Sequence, residues 1–119
     1  MATETYRGSC QCGAVAYEAD ADLGGTVVTC NCSRCERLST TLTFVAPDAF
    51  RLETGEGAMT EYRFASETIQ HLFCSTCGVE SFARGKMPDG TPMIAVNVNC
   101  LEGVDPRTLK TTQYDGASV

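Results

Sequence analysis

Eight cysteines in a chain of 119 residues fall into close groups: Cys10 with Cys12, then Cys30, Cys32 and Cys35, then Cys74 with Cys77, and Cys100 alone. Such a chain must oxidise its thiols, bind something with them, or do both. The spacing weighs against bridges inside the groups, because residues two apart, as in Cys10-Gln-Cys12 and Cys30-Asn-Cys32, strain disulfide geometry. The first residues, Met1-Ala-Thr-Glu-Thr-Tyr-Arg, show no basic start, apolar stretch or small-residue cleavage pattern. The expected location is therefore cytoplasmic, a reducing compartment where clustered thiols are more often metal ligands than disulfides.

The length is that of one domain with a real core, so a single unit over residues 1–119 is expected. No apolar run approaches what a bilayer crossing needs, and no membrane partner is expected. The net charge of −6 would repel phosphate backbones, so nucleic acid is not an expected partner either.

Short stretches rich in β-branched and aromatic residues recur at intervals near ten residues, many separated by Gly, Asp, Asn or Pro. That rhythm predicts an all-β fold with little helix. The expected strands are Gly13 to Glu18, Thr26 to Thr29, Leu42 to Ala46, Phe50 to Glu53, Thr60 to Phe64, Thr68 to Phe73, Val79 to Arg84, Met93 to Val98 and Leu109 to Tyr114. Lys86-Met-Pro-Asp-Gly-Thr-Pro reads as a tight reversal, since Gly90 can take positive φ. Only the stretch around Pro47-Asp48-Ala49 suggests a helical turn, and Asp115 to Val119 is expected to fray.

Zinc prefers four tetrahedral ligands, and a site with four protein ligands is usually structural. Cys10-Gln-Cys12-Gly13 and Cys74-Ser-Thr-Cys77-Gly78 each offer a pair on a turn, with a glycine that lets the backbone fold under the sulfurs. Together they can close one zinc site and clamp distant segments. The middle group supplies three thiols, which leaves one position open, the arrangement by which catalytic zinc sites admit substrate. Cys100 is the alternative fourth ligand that would close this site. An iron–sulfur cluster is disfavoured because the spacing does not match a ferredoxin run.

The elements Gly8-Ser-Cys10-Gln-Cys12-Gly13, Cys30-Asn-Cys32-Ser-Arg-Cys35, His71-Leu-Phe-Cys74-Ser-Thr-Cys77-Gly78-Val79 and Asn97-Val-Asn-Cys100-Leu resemble the family of the glutathione-dependent formaldehyde-activating enzyme, which also includes centromere protein V. The resemblance covers nearly all of the chain. It implies a β-tent of small antiparallel sheets, a structural zinc on Cys10, Cys12, Cys74 and Cys77, and a labile zinc on Cys30, Cys32 and Cys35. It further implies a carbon–sulfur lyase joining glutathione and formaldehyde reversibly into S-(hydroxymethyl)glutathione, with a small-molecule thiol as partner. Asn31 stands where members commonly carry His, and Glu36 where a basic residue often follows the third Cys.

Two functions follow from different uses of the middle group. An open zinc makes an enzyme; two structural zincs make a non-enzymatic, zinc-stabilised module that binds a protein. Of the remaining residues, His71 is the sole histidine and reads either as a donor to a thiolate or, more in keeping with its strand, as a packed structural side chain. Arg34 and Arg37 lie where they could attract an anionic thiol, or simply be solvated. Cys100 reads first as a small buried apolar residue.

Overall fold

The computed structural model describes residues 3–64 and 69–118. Among these residues the strands are β1 (Glu4–Ser9), β2 (Ala16–Ala21), β3 (Val27–Cys30), β4 (Thr41–Val45), β5 (Phe50–Thr54), β6 (Met59–Tyr62), β7 (Gln70–Cys74), β8 (Phe82–Lys86), β9 (Pro92–Asn97) and β10 (Thr112–Tyr114). One short α-helix, α1 (Ser33–Leu38), interrupts them. The strands form a three-stranded sheet, β1-β2-β5, and a seven-stranded sheet in the order β10-β3-β4-β9-β8-β7-β6. All neighbours pair antiparallel except β10, which runs parallel to β3. This is the expected β-tent: two leaning sheets, little helix, and cysteine groups at their margins.

The side-chain alternation of β2 explains how the small sheet leans on the large one. Tyr17, Ala19 and Ala21 turn inward and are buried, while Glu18 and Asp20 face out. Outside, Arg51 reaches Asp20 at 2.9 Å and Arg7 reaches Glu53 at 2.9 Å. Inside, the Tyr17 and Phe50 rings lie 4.9 Å apart and Phe50 and Phe82 4.6 Å apart, and the Tyr17 hydroxyl donates to the Ser81 carbonyl at 3.2 Å. In β9, Ile94 through Asn97 are buried in succession, as a strand covered on both faces requires. Its hairpin with β8 turns at Gly90, whose φ is 90°. No helix of the described residues is long and apolar enough to cross a membrane.

Several local expectations change. Strand β1 escapes the pattern reading because its exposed face is polar and only Gly8 is buried; its place is set by pairing with β2. Helix α1 buries no residue and so leaves no apolar stripe to detect. The strand expected from Val79 starts only at Phe82, because Val79 is engaged in closing the turn after Cys74. The strand expected from Leu109 shortens to Thr112–Tyr114, after a 3-10 turn at Pro106–Thr108. Pro47–Ala49 does form a helical turn. Thr68, the first residue of one expected strand, lies outside the described residues.

Candidate metal centres

Two turns of the same build hold the first group. Cys10 follows β1 and Cys74 ends β7; in each turn the cysteine N–H donates to a carbonyl five residues on, Cys10 to Val15 at 3.0 Å and Cys74 to Val79 at 3.0 Å. Gly13 and Gly78 then donate back to the Cys10 and Cys74 carbonyls, with φ of 84° and 80°, a conformation that costs glycine little. The fold brings Cys10, Cys12, Cys74 and Cys77 together with all sulfurs within 4.8 Å of one another. Sulfurs placed about 2.3 Å from a tetrahedral zinc lie about 3.8 Å apart; the Cys10–Cys12 and Cys12–Cys74 sulfur distances are both 3.7 Å.

Backbone N–H groups aim at these sulfurs, as thiolates require. Val15 N donates to Cys10 Sγ at 3.3 Å, and Thr76 N and Cys77 N donate to Cys74 Sγ at 3.4 Å. Hydrogen bonds from the Val79 and then the Cys12 backbone draw the Cys77 thiol down to about 6. Cys10 and Cys74 are buried in the main core, so a cation here would tie both sheets to one point.

The second group is built differently. Cys30 closes β3, Cys32 caps the N-terminus of α1, and Cys35 lies one turn into that helix. Cys32 N donates to Cys30 Sγ at 3.4 Å and Cys35 N to Cys32 Sγ at 3.3 Å, so the first two sulfurs are each oriented by the next ligand's backbone. The three sulfurs lie within 4.8 Å of one another, and no fourth Cys, His, Asp or Glu joins them among the described residues. Burial pushes the Cys35 thiol up to about 12, the neighbouring Cys32 adds to this, and the Thr40 hydroxyl acts against it. That hydroxyl is buried and lacks an oxygen or nitrogen partner. It suits a sulfur made anionic by a cation. Both groups can therefore hold a metal ion, and their all-thiolate donor sets are consistent with zinc.

The C-terminal segment packs on this second group instead of fraying. Asn31, between two of the cysteines, donates through Nδ2 to Asp115 at 2.9 Å and accepts from the Ala117 N–H at 2.9 Å. A Cβ on Gly116 would lie 2.6 Å from Cys30 Sγ. Residues 116–118 form a 3-10 turn there.

Arg34 is neither free to attract an anionic thiol nor simply solvated, and His71 is the packed strand side chain that its position suggests. Arg34 donates through Nε and Nη2 to Glu80 Oε1 at 3.0 and 2.6 Å, so its charge is engaged. His71 is buried, with Nδ1 3.1 Å from Glu80 Oε2, and it contacts a carboxylate where a thiolate partner was considered. Arg37 lies with Ser33, Arg34 and Leu38 on a cavity of about 350 Å³ that Tyr62 and Phe64 complete. These four occupy a different side of α1 from Cys35. Cys100 joins neither sulfur group among the described residues; it is half-buried where a buried side chain is expected, and burial raises its pKa. Glu80 and Thr40 carried no signal in the sequence, since their neighbours are set by tertiary contact.

Two β-sheets with cysteine clusters at their margins, each able to hold a metal ion, define the class: a cysteine-rich β protein. The chain matches the family model of the glutathione-dependent formaldehyde-activating enzyme over residues 5–114, and it belongs to that family. A crystal structure of a Rhodobacter sphaeroides protein is similar in fold and sequence, with a TM-score of 0.79 and 31% identity over 90% of this chain and 97% of that one. The family description names glutathione-dependent activation of formaldehyde as its chemistry.

Proposed function

We propose that this chain is a zinc-dependent carbon–sulfur lyase acting on glutathione or a related thiol adduct, of the S-(hydroxymethyl)glutathione synthase kind. In this reading one unit spans residues 1–119 and works in the cytoplasm on a small-molecule thiol. Cys10, Cys12, Cys74 and Cys77 hold a structural zinc; Cys30, Cys32 and Cys35 hold a labile, catalytic one. The observation that carries the reading is the convergence of these last three sulfurs without a fourth side-chain donor among the described residues. Family membership supports the substrate class.

In the forward reaction the thiol sulfur bonds to the carbonyl carbon of formaldehyde, and the carbonyl oxygen takes the proton that the thiol gives up. The reverse reaction breaks the same carbon–sulfur bond and returns both reactants. Zinc, when bound, supplies Lewis acidity and stabilises thiolate sulfur. Cys30, Cys32 and Cys35 would hold that ion through their three sulfurs, with no fourth side-chain donor beside them among the described residues. The N–H groups of Cys32 and Cys35 orient the sulfurs of Cys30 and Cys32. Gly116 approaches Cys30 closely from the C-terminal side.

Metal analysis of the reduced protein should find two zinc ions per chain. Titration with glutathione should perturb one of them, and the chain should accelerate exchange between labelled formaldehyde and S-(hydroxymethyl)glutathione. Two inert zinc ions and an uncatalysed exchange rate would overturn this reading.

A further inference from the structure

Helix α1 carries Cys32 and Cys35 yet rests on little of its own. It has six residues, none of them buried, and helices shorter than about 12–15 residues are marginal alone. Its ends are fixed locally, by the Cys32 sulfur at one end and by Ser39 at φ 58° at the other. Asn99 Nδ2 donates to the Ser39 carbonyl at 3.2 Å, and the ion pair from the body of the helix is made by Arg34. The Arg34 guanidinium lies 4.8 Å over the Tyr62 ring and forks onto Glu80, whose side chain is 11% exposed. His71, 7% exposed, holds the other oxygen of that carboxylate from β7. The Glu80 backbone is anchored as well, because its carbonyl accepts from Asn97 Nδ2 on β9 at 3.0 Å. A carboxylate so enclosed is retained where it is fully paired, and removing one partner exposes the cost of the other.

We propose that Glu80 is a positioning residue for the three-sulfur metal site: through Arg34 it fixes α1, and with it the sulfurs of Cys32 and Cys35, while His71 orients Glu80. This rests on the reading of Cys30, Cys32 and Cys35 as an open zinc site. The arrangement assigns the two arginines of the helix different tasks. Arg34 is spent inside the protein, and Arg37 remains at the cavity rim, where its head donates to the Ser33 carbonyl.

The test follows zinc release from the fully loaded chain to a chromogenic chelator. The wild type should release in two phases, the faster from Cys30, Cys32 and Cys35. In Glu80→Gln the faster phase should accelerate by about tenfold to a hundredfold, the range typical for groups that support metal ligands, with the slower phase unchanged. Arg34→Lys, which keeps the charge and loses the fork, should do the same. With cobalt in place of zinc, the sulfur-to-metal absorption of the second site alone should shift in both variants. Equal acceleration of both phases, the mark of a merely structural role, would overturn the proposal, as would wild-type rates in both variants. A wild-type chain that carries a single metal would instead overturn the open-site reading, and this inference with it.

Discussion

Gly116 illustrates how a residue far from the cysteines in sequence governs one of them. Its backbone is close enough that an added Cβ meets Cys30 Sγ at 2.6 Å and Cys32 Cβ at 3.2 Å. Gly116→Ala should therefore cost about 1–3 kcal/mol in the metal-loaded state, the range for overpacking a close contact. Chelator competition should register this as weaker zinc binding at the second site with the first unaffected. The cysteines themselves divide by consequence. With zinc held as proposed, Cys12→Ser should lose the ion of the first group and abolish the cooperative unfolding transition, whereas Cys32→Ser should leave the far-ultraviolet circular dichroism nearly unchanged while halving the zinc content. A large loss of stability in Cys32→Ser would favour the protein-binding module, in which both metals are structural.

At the scale of elements, what could be read from the sequence follows the depth of burial. The β8–β9 hairpin was legible because β9 is apolar on both faces and its turn needs the glycine at position 90. Helix α1 and β1 were not, since neither offers a buried apolar stripe, and their positions come from contacts with partners elsewhere. The C-terminal tail was misread for the same reason. A short polar segment after the last strand has no local signal for order, yet Asn31, 84 residues from Asp115, holds it. Asn31→Ala removes both contacts, and each is worth about 1 kcal/mol. Amide exchange at Ala117 should then quicken severalfold, with the strands of both sheets protected as before.

For the molecule as a whole, two magnitudes decide the role of metal. A domain of this kind is stable by about 5–15 kcal/mol, and a structural zinc contributes a comparable 10–16 kcal/mol in small zinc domains near neutral pH. Stripping zinc with a strong chelator should therefore abolish the sharp thermal transition, and adding zinc back should restore it. Because zinc competes with protons for sulfur, acidification should release metal, from the three-ligand site at higher pH than from the four-ligand site. The core between the sheets contributes independently. Tyr17→Phe should cost only about 1 kcal/mol in urea unfolding, because the Ser81 carbonyl that loses the Tyr17 hydroxyl still accepts from the Asn97 N–H at 3.0 Å.

The sequence alone determined the β character, the grouping of the sulfurs and the turns that carry them, because ligands two or three residues apart must share a turn and glycine must follow where the chain folds under them. Only the tertiary structure decided that Arg34 meets Glu80, 46 residues away, that His71 serves that carboxylate, that Cys100 stands apart from the second group, and that the tail covers it. Those contacts depend on how strands register and sheets lean together, a collective outcome of packing that no local pattern of residues encodes.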